Sequence, residues 1–136
     1  MNNERKKLTI LVADDEISIR TLVTQCFPDY FVVEAEDGAK ALDLARSCQP
    51  DLIFLDIMMP KVDGYMALHN IKADALTNEI PIVMLTGLSF NMNAKLSQNL
   101  GADAYITKPF TVQEITDTVD RLLGISKSAS PQDATD

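Results

Sequence analysis

The sequence predicts an open α/β fold, a parallel sheet covered by helices on both faces. Three observations carry this. Strand-like and helix-like segments alternate five times along the 136 residues, the pattern that builds βαβ units. The run Leu52-Ile53-Phe54-Leu55 is apolar with no helical period, as in a strand buried on both faces of a parallel sheet. Each strand is followed by polar residues, and right-handed crossovers would gather these on one edge of the sheet.

The first strand runs from Leu8 to Ala13 and ends in Asp14-Asp15-Glu16. Ile19, Leu22, Val23 and Cys26 then fall at i, i+3, i+4 and i+7, one face of a helix that Phe27-Pro28-Asp29 breaks. Phe31 to Ala35 is the second strand. Asp37 is the expected N-cap of the helix carrying Leu42 and Ala45. The third strand closes on Asp56, with Pro60 removing a backbone donor just beyond, and Lys61-Val62-Asp63-Gly64 turns into a helix bearing Leu68 and Ile71. Ile80 to Leu85 is the fourth strand, leading to Thr86-Gly87.

Phe90 to Leu100, with its interspersed Asn residues, is expected to be the least firmly held helix. Ala104-Tyr105-Ile106 is a short fifth strand leading to Thr107-Lys108-Pro109. Thr111 and Glu114 form a capping-box pattern. Val112, Ile115, Val119 and Leu122 line one face of the last helix, which Gly124 can end. Residues 1–7 read as a leader, 8–124 as the folded domain, and 125–136 as a disordered tail or linker stub.

The formal net charge of −8 argues against direct binding to nucleic acid or an anionic membrane, which needs a basic patch. No apolar run approaches the ~20 residues of a spanning helix, and the charged amino end carries no signal-peptide apolar region. Cys26 and Cys48 lack metal-ligand spacing and read as small buried hydrophobes in a reducing compartment. A cytoplasmic location is expected. His69 reads as a surface residue without companions for a metal site, and the methionines as core filler apart from Met58 and Met59.

The shared sheet edge collects Asp14 and Asp15 from the first strand, Asp56 from the third, Thr86 from the fourth and Lys108 from the fifth. Taken alone, Asp56 is equally a solvated cap of its strand. Three converging carboxylates, however, repel by roughly 4 kcal/mol per pair at ~4 Å and an effective dielectric of about 20. A divalent cation relieves this, and few carboxylates with open positions suit Mg²⁺ better than Ca²⁺. Lys108 supplies a point charge for a phosphoryl oxygen. Such a site can accept a phosphoryl group on Asp56.

These residues resemble a response-regulator receiver domain of two-component signalling, over Leu8 to Leu123. The resemblance rests on Asp14-Asp15, the run Asp51 to Pro60 with Asp63-Gly64, Glu34-Ala35-Glu36-Asp37-Gly38 with Ala41-Leu42, Thr86, and Lys108-Pro109-Phe110. It implies a flavodoxin-like (βα)5 doubly wound sheet with strand order 2-1-3-4-5. It also implies that Asp56 is phosphorylated from the phosphohistidine of a sensor histidine kinase or histidine phosphotransfer protein. Asp15, Asp56 and the Met58 backbone carbonyl would hold Mg²⁺, with Asp14 assisting through water. Thr86 and Lys108 would hold the phosphoryl oxygens, and Tyr105 would be the aromatic that changes rotamer. On the residues alone, Tyr105 is ordinary half-buried strand packing.

The resemblance further implies a switch rather than a conventional enzyme, assisting only its own phosphorylation and autodephosphorylation. The surface of the fourth helix, fifth strand and fifth helix would change, to control a partner or output domain or to form a phosphorylation-dependent homodimer. Lys108-Pro109 would be cis. Met58 and Leu88, two positions after the phosphoacceptor and two after the switch threonine, are apolar and offer nothing to orient a hydrolytic water, so a long-lived phosphoryl group is expected. A flavin-binding flavodoxin-like protein would instead need a phosphate-cradling loop after the first strand, where this chain has acids. A phosphohydrolase acting through an aspartyl phosphate would carry an acid/base carboxylate where this chain has Met58.

Overall fold

The computed structural model describes residues 7–59, 63–87 and 101–125. Five strands form one parallel sheet in the order β2-β1-β3-β4-β5: β1 (Thr9–Ala13), β2 (Phe31–Ala35), β3 (Leu52–Asp56), β4 (Ile82–Thr86) and β5 (Ala104–Thr107). The described helices are α1 (Ile17–Cys26), α2 (Gly38–Cys48), α3 (Gly64–Ala73) and the last helix, α4 (Val112–Leu123). The expected helix over Phe90–Leu100 lies outside the described residues, as do Leu88 and the tail beyond residue 125.

Side chains alternate across the strands, and each set meets its own pair of helices. Leu11, Ala13, Ile53, Leu55, Ile82 and Met84 share one layer with residues of α2 and α3. Ile10, Val12, Leu52, Phe54, Val83 and Leu85 share the other with Val23 of α1 and Ile115 and Val119 of α4. β3 at the centre is buried at every position. Each large side chain sealed there contributes roughly 1.5–3 kcal/mol, which is why the middle of the sheet is a rigid platform.

The capping chemistry matches the sequence pattern. Asp37 accepts a hydrogen bond from the Lys40 N–H at the start of α2, and Asp63 does the same from Met66 for α3. Thr111 and Glu114 form a reciprocal capping box, and Gly124 ends α4 at φ 70°. Lys108-Pro109 is cis.

Some local expectations are corrected. β4 begins at Ile82, two residues later than expected, because Ile80 closes a turn on the Thr77 carbonyl (3.1 Å). Cys48 is exposed at the end of α2 and Cys26 only half-buried, so Cys48 is no core residue. Val112 and Met66 are exposed; each sits in the first turn of its helix, ahead of the face that meets the sheet. Met59 turns inward to the core while Met58 turns out, and His69 is exposed as expected.

Candidate functional site

In this strand order the chain leaves β1 toward one side and β3 toward the other, so a crevice opens at their carboxyl ends. Asp14 and Asp15 follow β1, and Asp56 is the last residue of β3. One oxygen from each of these three carboxylates lies within 4.8 Å of the others. Asp14 and Asp56 are buried and Asp15 is exposed, so two acids form the floor of the crevice and the third its rim.

Asp14 is held at every backbone atom able to bond. Its N–H donates to Ala35 O (3.0 Å), and its carbonyl accepts from Arg20 Nη1 (2.7 Å). Its Oδ1 accepts from the Glu16 N–H (2.9 Å). Its buried Oδ2 lies 2.9 Å from Lys108 Nζ, an ion-pair contact off the hydrogen-bond angle; that oxygen has no hydrogen-bond donor among the described residues. Among the described residues, Asp56 Oδ1 accepts a long hydrogen bond from the Met58 N–H (3.4 Å). Gly64 packs its Cα against the turn after β3, where a Cβ would overlap the Asp56 carbonyl oxygen and fall 2.6 Å from Ile57 Cα.

Lys108 reaches into the crevice from the loop after β5. Its backbone N–H extends the sheet ladder to Thr86 O (2.6 Å). Its ammonium lies 2.9 Å from Asp14, 3.2 Å from Glu16 and 3.4 Å from Asp56. Burial works to lower its pKa, and the surrounding carboxylates outweigh that and raise it. Burial, reinforced by the Asp14 charge, pushes Asp56 up to about 6. Burial likewise raises Asp14, against the Glu16 N–H and Lys108. The crevice therefore holds more negative charge than one lysine neutralises.

Thr86, fully buried at the end of β4, is hydrogen-bonded through its side chain to Tyr105. Tyr105 sits on β5 opposite Met84 and packs against the α2/α3 layer of the core. The structure thus brings Asp14, Asp15, Asp56 and Lys108 together and joins Thr86 to Tyr105. Met58 is an exposed rim residue, and Leu88 lies outside the described residues.

Two contributors went unrecognised in the sequence. Glu16 shares Lys108 with Asp14 and Asp56, and Arg20 grips the Asp14 carbonyl. A signal for Arg20 was present: it is the one charged residue in Ile17–Cys26.

Three converging carboxylates, one of which keeps a buried oxygen without a hydrogen-bond donor among the described residues, fit a small divalent cation with oxygen ligands. A doubly wound parallel sheet with an acidic crevice and a facing lysine at its carboxyl edge is the architecture of a receiver domain. The chain belongs to the response regulator receiver domain family, which matches residues 10–120.

Among curated proteins it is 42% identical over 111 residues to a probable transcriptional regulator, ycf27, of Guillardia theta, covering 80% of this chain and 42% of that protein. The chain spans about half the length of the curated regulators it matches. Among solved structures it superposes on the chemotaxis protein CheY4 of Vibrio cholerae with a TM-score of 0.82 and 30% identity, over 87% of this chain and 100% of that one. It also superposes on the receiver domain of a sensor histidine kinase, PA1611, of Pseudomonas aeruginosa, with a TM-score of 0.80 and 26% identity, over 88% and 99% of the two chains. That structure has a magnesium ion coordinated in its active-site cleft. No helix among the described residues is long and apolar enough to cross a membrane.

Proposed function

We propose that residues 8–124 form a cytoplasmic phosphorylation switch in which Asp56 accepts a phosphoryl group from a phosphohistidine of a sensor kinase or histidine phosphotransfer protein. The observation that carries this is the convergence of Asp14, Asp15 and Asp56 on one another, with Lys108 against Asp14 and Asp56. Asp15, Asp56 and the Met58 carbonyl would hold Mg²⁺, with Asp14 acting through water. The metal supplies charge neutralisation at the phosphoryl oxygens.

The remaining chemistry belongs to the chain. An Asp56 oxygen attacks phosphorus in line as the P–N bond breaks, and the bonding electron pair returns to the imidazole. Lys108 swings from its carboxylates to a phosphoryl oxygen, stabilising charge that the transfer brings into the crevice. The Thr86 hydroxyl donates to another phosphoryl oxygen. To do so it gives up its bond with Tyr105, and the ring takes the space the threonine leaves. A local hydrogen bond thereby selects between two packings of the β4–β5 surface. That surface would address a downstream protein, an output domain, or a second copy of the chain.

Hydrogen exchange with and without beryllofluoride and Mg²⁺ tests the switch. Protection should change over residues 91–100 and at Tyr105 more than around Cys26, and Thr86→Ala should abolish the change. Uniform protection in both proteins would contradict it.

A further inference from the structure

The acidic loop between β1 and α1 must hold two carboxylates in a fixed direction although they repel each other and Asp56. One side chain outside the crevice bonds to the backbone of this loop. Arg20, on the first turns of α1, donates from Nη1 to the Asp14 carbonyl at 2.7 Å and from Nε to Glu34 Oε1 at 2.9 Å. Arg20 is largely buried, with 12% of its side chain exposed. Glu34 lies on β2 directly opposite Val12 of β1, so the guanidinium is tied to the sheet itself.

The Asp14 carbonyl and the Asp15 N–H share one rigid peptide plane. The N–H of Asp14 is already fixed to Ala35. Holding its carbonyl therefore fixes the plane on the other side, and with it the N–Cα bond from which the Asp15 side chain is carried.

We propose that Arg20 is a positioning residue for the acidic loop, and that the Arg20–Glu34 pair sets the affinity of the Asp14–Asp15–Asp56 cluster for a divalent cation. This rests on the metal site proposed above. Charge alone predicts the opposite effect. A guanidinium beside the loop repels a cation, so deleting it should tighten binding on Coulombic grounds. Positioning predicts weakening, and the sign of the change separates the two. Lysine keeps the charge but lacks the planar fork that reaches both partners at once.

Mg²⁺ titrations of the full chain, followed through backbone amide resonances, provide the test. Arg20→Ala and Arg20→Lys should both weaken binding by about tenfold or more, the usual effect of removing a group that orients metal ligands. Glu34→Gln should weaken it less, and adding Glu34→Gln to Arg20→Ala should cost nothing further. If Arg20→Ala does not fold, Arg20→Lys carries the test. Unchanged or tighter binding in Arg20→Lys would overturn the proposal while leaving the metal site standing, provided Asp15→Asn weakens binding. If Asp15→Asn binds Mg²⁺ as well as the wild type, the metal site itself is wrong and the role of Arg20 falls with it.

Discussion

Lys108 lies nearer to Asp14 than to Asp56, its Nζ 2.9 Å from Asp14 Oδ2 and 3.4 Å from Asp56 Oδ1. The lysine is thus stationed over Asp14, with the proposed acceptor Asp56 beside it. Lys108→Ala leaves two buried acids without their cation, and breaking such a buried pair costs on the order of 3 kcal/mol. Urea unfolding in the presence of a chelator should show a loss of that order. Mg²⁺ should bind this variant more tightly than the wild type, because the competing cation is gone. The contrast with the weakening expected for Arg20→Lys distinguishes a cation in the crevice from one that orients it.

The acceptor itself makes the metal-free fold pH-dependent. Asp56 is raised to about 6 from 3.8, chiefly by burial and then by the Asp14 charge, so its folded pKa exceeds its unfolded one. The stability it contributes is complete below the unfolded pKa and is lost as pH rises through about 6. A shift of this size corresponds to about 2–3 kcal/mol. With chelator present, the wild type should therefore lose roughly that much between pH 4 and pH 7.5. Asp56→Asn should show a much shallower loss and be the more stable protein at pH 7.5. Chemical denaturation across this range measures both.

Gly64 is required by contact rather than by φ. A Cβ there would overlap the Asp56 carbonyl and crowd Ile57. Gly64→Ala must displace the turn that follows β3, at about 1–3 kcal/mol by the usual cost of overpacking. Thermal unfolding should register this, and Mg²⁺ affinity should fall as well, since the displaced segment carries Met58.

The sheet was legible because β1, β3 and β4 are nearly pure runs of core residues, and five strand-like segments in alternation with helices leave few topologies. Asp56 was legible because an acid closing a buried strand has only the sheet edge to go to. Arg20 stood out as the one charged residue of α1, but its role was not legible, since it depends on Glu34 being set opposite Val12 by strand pairing, a relation with no local spacing. Glu16 looked like a third member of an acidic run, and only the fold shows it reaching Lys108, 92 residues away. Cys48 misled because cysteine is usually buried, whereas this one falls on the exposed end of α2.

Hydrolysis of the phosphoryl group needs a water held in line behind phosphorus. Met58 stands exposed at the rim with no polar atom on its side chain able to orient one, and Leu88 occupies the other position the sequence singles out. The phosphorylated protein should accordingly be long-lived. Met58→Asn combined with Leu88→Gln should shorten its half-life by roughly tenfold or more, within the range of general acid–base assistance, and leave phosphorylation intact. Decay of radiolabelled protein after donor removal is the measurement.

The most direct measurement is to locate the phosphoryl group. The protein is incubated with acetyl phosphate and Mg²⁺, the acyl phosphate is reduced with borohydride, and the peptides are sequenced by mass spectrometry. Reduction of an aspartyl phosphate leaves homoserine, and the account predicts it at position 56 alone, dependent on Mg²⁺ and absent in Asp56→Asn. Homoserine at Asp14 or Asp15, or undiminished labelling under chelator, would contradict it.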